Sequence, residues 1–307
     1  MLHLTEDDVR RLLPMRDAIP AVRQAFLALA TGAAINHPRR RLVVPGAGSV
    51  LHQMAGWFGD YYGAKIYATN VKHGAMHFHV LLYDARTAEP LALIDANALG
   101  QIRTGAATGV ATDLLAPRDV QTVGLIGSGF QSWTQLEAVL TVRPGVRQVR
   151  VYSRNPEKRA SFAARAAESF GVSVQAADSA EAAVRDAEVL ITCTYAKDPV
   201  FDDASLHHQA HINAAGSNQA TRREIPPETI HRAALIAIDS LEQAHLEAGD
   251  LLLAAPAEKW SEMPVHELGT LLAQPGFTRP EGITLFESLG LGVQDVAAAA
   301  VVYERAR

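Results

Sequence analysis

Apolar positions near the start of the chain follow a helical spacing, which changes to a strand spacing near residue 41. Residues 9–29 repeat apolar side chains at helical intervals, behind the helix-start pattern Thr5-Glu6-Asp7-Asp8. Later segments are short and joined by Gly, Asp or Pro rather than by helices. The pattern predicts two helices and then an antiparallel meander with strands at 42–44, 50–54, 63–69, 78–83 and 91–94.

The rest of the chain alternates strands with helices, after a helix rich in Gly and Ala over 97–115. Apolar runs lie at 123–126, 149–152, 189–192, 235–238 and 284–286. Helical segments lie at 131–142, 156–170, 179–185, 242–248 and 293–307, and 255–282 is predicted to be irregular. This alternation is typical of a parallel, doubly wound sheet.

We therefore predict an α/β protein of two domains. Residues 1–115 form an α+β domain with an antiparallel sheet, completed by a C-terminal helix at 290–307. Residues 116–289 form a doubly wound, Rossmann-like parallel-sheet domain.

Charge and cysteine content narrow the possible partners. The 307 residues carry 28 Lys and Arg against 33 Asp and Glu, a formal net charge of −5. Such a surface does not attract nucleic acid or an anionic membrane, and the apolar runs are shorter than a membrane span. With one cysteine, Cys193, and an acidic start, we expect a cytoplasmic protein without disulfides. His77 and His79 lack an acidic neighbour at ligand spacing, so no metal site is predicted.

A glycine-containing loop follows the strand at 123–126 and opens a helix. Such a loop brings the backbone close to a pyrophosphate and directs helix N-terminal amides at its charge. The predicted dinucleotide-binding residues are Gly127, Ser128, Gly129, Phe130, Gln131 and Ser132.

The end of the next strand bears on the choice of nicotinamide cofactor. An acidic residue there binds the ribose 2′-hydroxyl of NAD, but this strand is followed by Ser153, Arg154 and Asn155. Arg154 and Ser153 are suited to a 2′-phosphate, so NADP(H) is favoured over NAD(H). The alternative is a solvated Arg154. Thr194, at the end of a later strand, is expected to line the cofactor crevice.

Three basic positions are candidates for binding an anionic substrate. Alternation in the strand at 63–69 places Lys65 on the face of Gly63, Tyr67 and Thr69, which indicates a polar cleft. Arg103 lies in the small-residue helix and suits a carboxylate. In the run at 38–41, Arg39 and Arg41 are expected to be solvated.

The sequence resembles the ornithine cyclodeaminase/mu-crystallin family over essentially its whole length. The matching stretches are PRRR at 38–41, GAKIYATN at 63–70, VLLYDARTAEPLALIDAN at 80–97, QIRTGAATGVAT at 101–112, GLIGSGFQS at 124–132, HINAAGS at 211–217, RREI at 222–225 and LFESLGLGVQD at 285–295. The resemblance implies a homodimer. Its first domain forms the interface and supplies the substrate site, and the last helix completes that site.

The resemblance also implies roles for individual residues. Arg40, or Arg39 in a register shifted by one, would bind the substrate carboxylate together with Lys65 and Arg103. The backbone at 287–290 would lie against the nicotinamide, where Gly290 permits a close approach.

Two departures from the cyclodeaminase pattern concern acid–base chemistry. Gln53 stands where the cyclodeaminase has a glutamate, and Asn218 stands where it has an aspartate. An amide does not take up a proton at physiological pH. Reduction of a preformed imine needs only hydride delivery, a carboxylate clamp and a proton for nitrogen, and Lys65 is the expected proton source.

The predicted activity is NAD(P)H-dependent reduction of a small imino acid, a ketimine or a cyclic imine such as pyrroline-2-carboxylate, or the reverse dehydrogenation of an amino acid. One alternative is ornithine cyclodeaminase, which converts L-ornithine to L-proline and ammonia. The other is a crystallin-like protein that binds a small ligand without catalysis.

Overall fold

The computed structural model describes residues 1–70 and 72–307. The backbone divides into unit 1, Met1–Ala106 with Gly290–Arg307, and unit 2, Ala107–Leu289. The first division falls inside the helix Asn97–Leu115 rather than at residue 115, where the sequence placed it. The reason is that the end of this helix bonds within unit 2. The Asn213 side chain donates to Thr112 Oγ1 at 3.0 Å, and Thr284 Oγ1 donates to the Leu115 carbonyl at 2.9 Å.

The strands and helices have the following bounds. The strands are β1 (Leu2–Leu4), β2 (Ala34–Asn36), β3 (Arg40–Val44), β4 (Ser49–Phe58), β5 (Tyr61–Asn70), β6 (Ala75–Asp84), β7 (Pro90–Asp95), β8 (Thr122–Ile126), β9 (Gln148–Tyr152), β10 (Ser173–Ala176), β11 (Val189–Thr192), β12 (His211–Ala214), β13 (Leu235–Ile238), β14 (Val265–Glu267) and β15 (Thr284–Glu287). The helices are α1 (Glu6–Leu12), α2 (Met15–Ala30), α3 (Asn97–Leu115), α4 (Phe130–Val142), α5 (Pro156–Phe170), α6 (Ala180–Val184), α7 (Pro227–Arg232), α8 (Leu241–Glu247), α9 (Gly249–Leu252), α10 (Leu268–Ala273) and α11 (Gly292–Ala306).

Unit 1 is built on the predicted meander. Its sheet has the order β1-β7-β6-β5-β4-β2, with β3 added to β4 as a hairpin, and every pair is antiparallel except β1 with β7. The capping box that the sequence indicated is present, because Thr5 and Asp8 exchange side chain to backbone hydrogen bonds. The three-residue strands β1 and β2 are too short to show a period, and the sequence pattern missed them.

Helix α11 lies directly on one face of this sheet. A Cβ on Gly56 of β4 would lie 2.6 Å from the backbone nitrogen of Val293, and a Cβ on Gly292 would overlap the backbone of Ala55. Two glycines therefore allow the helix and strand backbones to touch, because a Cβ on either would collide with the facing backbone. This contact fixes the first turn of α11, which carries the acidic residue of the site.

Unit 2 is the predicted parallel sheet, in the order β10-β9-β8-β11-β12-β15-β13-β14. The predicted helices at 131–142, 156–170, 179–185 and 242–248 correspond to α4, α5, α6 and α8. Strand β12 is fully buried although its sequence contains the polar residues His211 and Asn213. The His211 ring bonds Thr284 Oγ1 at 3.0 Å. The prediction of an irregular 255–282 was wrong in part, because β14 and α10 lie there and are too short to show periodicity.

Across the described ranges, no helix has the length and apolar character to cross a membrane. The same residues contain no group of three His, Cys, Asp or Glu side chains placed to hold a metal ion.

Candidate functional site

Lys65 is buried in the middle of the unit 1 sheet. Its partners across the sheet are Met54 on β4 and Val80 on β6, so the three side chains share one face. Lys65 is 3% exposed, and a Cβ on Gly100 of α3 would lie 3.9 Å from its Nζ. An ammonium at this depth requires a charged partner.

That partner is Asp295, in the first turn of α11. One carboxylate oxygen, Oδ1, accepts from Lys65 Nζ at 2.9 Å and from Arg103 Nε at 2.8 Å. Asp295 is 0% exposed, and its Oδ2 has no hydrogen-bond partner among the residues that the structure describes. Arg103 Nη1 also donates to Gln294 Oε1 at 3.0 Å, which fixes the guanidinium at two points.

The third cation is Arg39 rather than Arg40. Arg39 is 6% exposed, its Nε lies 3.4 Å from Met54 Sδ and its Nη2 donates to the Gly290 carbonyl at 3.5 Å. The expectation of a solvated Arg39 was therefore wrong. Arg40 is exposed and lies opposite Gln53, on the other face of the sheet from Met54. A shift of one residue moves a side chain to the opposite face, which is why the register mattered.

Charge in this cluster is unbalanced, because it contains three basic side chains and one carboxylate, which bonds two of them. The pKa of Lys65 is lowered to about 7, chiefly by burial and then by repulsion from Arg103 and Arg39, although Asp295 raises it. The two guanidinium groups stay charged at any physiological pH. The cluster can therefore bind an anion and exchange a proton near neutrality.

A row of stacked rings adjoins the cluster on the same face. His52 stacks on Tyr67 with ring centroids 4.2 Å apart, and Tyr67 stacks on Phe78 at 4.8 Å. Lys65 Nζ lies 5.7 Å from the centroid of Tyr67. Burial and the neighbouring Arg41, Arg39 and Lys65 lower the pKa of His52 to about 4, so this ring is neutral. The row forms an uncharged, planar wall beside the cations.

Gly290 is required by the cluster itself. Its φ is +79°, and a Cβ there would overlap the Arg103 guanidinium. The sequence argument gave a nicotinamide as the reason for this glycine. The structure supplies a reason inside unit 1, namely that the turn passes between Arg39 and Arg103.

In unit 2, the loop between β8 and α4 has the geometry that a pyrophosphate requires. Gly127 has φ +121°, and a Cβ there would overlap the Cys193 carbonyl, whereas nothing lies within 4 Å of a Cβ at Gly129. Ser132 Oγ accepts from Gly129 N at 3.2 Å, which anchors the start of α4 at Phe130. Tight packing on one side and open backbone on the other fit a dinucleotide.

The end of β9 lies beside this loop. Ser128 Oγ donates to Ser153 Oγ at 2.8 Å, and Arg154 is exposed. Asn155 caps α5 by accepting from Lys158 N at 2.7 Å, so its side chain serves the helix. Gln131 Oε1 is buried and has no hydrogen-bond partner in the described part of the chain.

Thr194 and Asn218 follow the ends of β11 and β12, also in unit 2. Sequence reasoning gave no role to Glu224, whose carboxylate accepts from Thr194 N at 2.6 Å and from Gly216 N at 2.9 Å. Its only signal was its place in the stretch RREI. Burial raises the pKa of the Cys193 thiol to about 12, which excludes it as a nucleophile at neutral pH.

One family of known proteins matches the whole chain. Residues 1–307 match the sequence model of the ornithine cyclodeaminase/mu-crystallin family. A Δ1-pyrroline-2-carboxylate reductase of Bacillus cereus is 37% identical over 230 residues, which cover 74% of this chain and 70% of the relative.

Two solved structures have the same fold. The Δ1-pyrroline-2-carboxylate reductase of Thermococcus litoralis, in complex with NADH and L-proline, has a TM-score of 0.92 and 32% identity, covering 100% of this chain and 97% of that chain. An archaeal alanine dehydrogenase dimer with bound NAD has a TM-score of 0.91 and 31% identity, covering 100% of this chain and 96% of that chain.

Proposed function

The chain belongs to the ornithine cyclodeaminase/mu-crystallin family, and we propose that it is a nicotinamide-dependent reductase of small imino acids that also runs in reverse as an amino-acid dehydrogenase. The observation that carries this function is the buried ammonium of Lys65, held by Asp295 between two fixed guanidinium groups. A carboxylate clamp and a proton donor are what imine reduction needs from the protein.

Each residue of the cluster has a separate task in this reaction. Arg39 and Arg103 bind the substrate carboxylate through charge-assisted hydrogen bonds. Lys65 donates a proton to the imine nitrogen, and Asp295 holds the ammonium in place for that transfer. A nicotinamide cofactor, when bound, would supply the hydride for the imine carbon. In the reverse direction, the uncharged Lys65 amine accepts the proton.

The substrate class follows from the surroundings of Lys65. The stacked rings of His52, Tyr67 and Phe78 offer a flat, neutral surface beside the ammonium. A planar cyclic imine such as Δ1-pyrroline-2-carboxylate fits that combination of ring wall and carboxylate clamp. The reductases of Bacillus cereus and Thermococcus litoralis carry this substrate in their names.

The residues favour reduction over cyclodeamination of ornithine. Asn218 carries an amide, and Gln53 is an exposed amide on the sheet face opposite Lys65. Neither side chain exchanges a proton at neutral pH. A ligand-binding protein without catalysis has no use for a buried lysine whose pKa is near 7.

For the cofactor, we propose a preference for NADP(H). Among Ser153, Arg154 and Asn155 the chain offers a hydroxyl and a cation but no carboxylate for a ribose 2′-hydroxyl. Ser153 is tied to Ser128 of the glycine loop, so a 2′-phosphate at this strand end would meet groups already in position.

For the assembly, we propose a homodimer formed through unit 1. All five residues of β3 are exposed although three of them are apolar, with Leu42 58% and Val43 62% exposed. Exposed apolar surface of this kind marks an interaction site. The related archaeal alanine dehydrogenase is described as a dimer.

The test is to follow NADPH absorbance with Δ1-pyrroline-2-carboxylate, piperideine-2-carboxylate and L-ornithine offered separately. We expect oxidation of NADPH with the cyclic imines and formation of L-proline from the first. Steady release of ammonia from L-ornithine, with no imine reduction, would instead establish a cyclodeaminase.

A further inference from the structure

Glu224 lies at the convergence of two turns of unit 2. Its carboxylate is 0% exposed, and all its partners in the described structure donate to it. Oε1 accepts from Thr194 N at 2.6 Å, and Oε2 accepts from Gly216 N at 2.9 Å and from Thr192 Oγ1 at 3.1 Å. One side chain therefore ties the turn after β11 to the turn after β12.

The residues around the Glu224 carboxylate are tightly packed. A Cβ on Gly216 would overlap the Glu224 carboxylate and lie 2.5 Å from Thr194 N. The pKa of Glu224 is raised to about 7, chiefly by burial with a contribution from Asp250, although the hydrogen bonds from Thr194 and Thr192 lower it. The turn after β12 is thus packed against the Glu224 side chain, which accepts a hydrogen bond from Gly216 N.

A second buried acid, Asp250, fixes the backbone at Glu224. Asp250 Oδ1 accepts from the backbone nitrogens of Glu224 at 2.7 Å and of Ile225 at 2.6 Å. A Cβ on the preceding Gly249 would overlap the carbonyls of Gln219 and Arg222. The segment that carries Glu224 is therefore fixed on both its backbone and its side chain.

The two turns lie at the carboxyl edge of the parallel sheet. In a doubly wound sheet, each half holds one mononucleotide at this edge. The glycine loop and the end of β9 belong to the half that takes the adenosine side, and β11 and β12 belong to the other half. The groups that Glu224 holds thus lie on the nicotinamide side.

We propose that Glu224 is a positioning residue, which sets the turns carrying Thr194 and Asn218 for the nicotinamide half of the cofactor. The inference rests on the proposed function, because it needs a dinucleotide on this sheet. A purely structural acid would stabilise the unit without distinguishing the two halves of the cofactor.

The test compares NADPH with 2′-phospho-ADP-ribose, which lacks the nicotinamide, by calorimetric titration of the 307-residue chain. In Glu224→Gln, the amide offers a donor where a backbone N–H needs an acceptor. We expect the Kd for NADPH to rise about tenfold, comparable to one charge-assisted hydrogen bond, with a 2′-phospho-ADP-ribose Kd within about twofold of wild type. Glu247→Gln is the matched control, since Glu247 is 1% exposed in the same unit and bonds Gln243. We expect it to change neither Kd.

A milder variant covers the case in which Glu224→Gln fails to fold. Thr192→Val removes only the hydroxyl that donates to Glu224. We expect the ratio of the cofactor Kd to the Kd of the ligand without nicotinamide to rise about two- to threefold, the size expected for the loss of one weak neutral hydrogen bond. Equal weakening of both ligands, or an unaltered ratio in both variants, overturns the positioning role. Wild-type protein that binds neither NADPH nor NADH overturns the proposed function itself.

Discussion

At the scale of single residues, the site depends on how burial and charge act on Lys65. Desolvation and two guanidinium groups disfavour the ammonium, and Asp295 favours it. Because desolvation and the guanidinium groups outweigh Asp295, the pKa of Lys65 falls from 10.5 to about 7. A lysine with this pKa donates and accepts protons at physiological pH.

The first prediction concerns the pH dependence of turnover. Imine reduction needs protonated Lys65, so kcat should fall as pH rises through about 7, and amino-acid oxidation should rise over the same interval. Asp295→Asn removes the group that raises this pKa, so both midpoints should move to lower pH. Asp17→Asn, which breaks the Asp17–Arg305 pair elsewhere in unit 1, is the control. Identical midpoints in wild type and Asp295→Asn would contradict the role of Asp295.

The second prediction separates Arg39 from its neighbour. Arg39→Ala removes a buried cation of the cluster and should raise KM for the imino acid about tenfold or more, as expected for a lost charge-assisted hydrogen bond. Arg40→Ala, on the opposite sheet face, should leave KM within about twofold. Steady-state kinetics with saturating NADPH gives both values. The reverse ranking would return the carboxylate contact to Arg40.

The third prediction concerns the cofactor. Arg154→Asp should weaken NADPH about tenfold and leave NADH nearly unchanged or slightly tighter, because the cation can pair only with a 2′-phosphate. Fluorescence titration of both reduced cofactors measures this. Equal affinity of the wild-type protein for NADPH and NADH would remove the basis for an NADP(H) preference.

At the scale of elements, three glycines determine where the charged side chains of the site lie. Gly56 and Gly292 let α11 rest on β4, which brings Asp295 to Lys65. Gly290 lets the preceding turn pass between Arg39 and Arg103. The charged groups reach these positions because the three glycines carry no side chain.

The fourth prediction tests that turn. Gly290→Ala combines a φ of +79° with overlap of the Arg103 guanidinium, so it should destabilise the protein by about 3 kcal/mol or more. It should also raise KM for the imino acid. Gly276→Ala is a matched control, since its φ is +70° but nothing lies within 4 Å of the added Cβ. We expect it to lose only about 1 kcal/mol in denaturant unfolding, with KM unchanged. Equal losses would show that Arg103 tolerates the extra atom.

At the scale of the whole molecule, the exposed apolar strand β3 sets the expected assembly. Val43 is 62% exposed, and its neighbours in the strand are also exposed. A chain of 33.0 kDa with this surface should associate through it.

The fifth prediction is that sedimentation equilibrium gives twice the chain mass and that Val43→Asp yields the monomer. Leu246→Asp is the control, because Leu246 is 58% exposed but lies in unit 2. A dimer that persists in Val43→Asp, or one that Leu246→Asp dissociates, would place the interface elsewhere.

The sequence alone determined the two sheets and the glycine loop. Hydrophobic period and turn residues are local properties, so the strands of the meander and the alternation after Pro117 could be predicted from neighbouring residues. The glycine loop is also contiguous in sequence, from Gly127 to Ser132. Short strands such as β1 and β14 could not be predicted, because three residues are too few to show a hydrophobic period.

Only the tertiary structure decided which charges meet. Arg39, Lys65, Arg103 and Asp295 are far apart along the chain, and nothing local specifies that one carboxylate serves two cations. The choice between Arg39 and Arg40 depended on a strand register, and the joining of two turns by Glu224 depended on the packing of Gly216. Register, burial and pKa arise from contacts between distant segments, and those contacts form only when the chain folds.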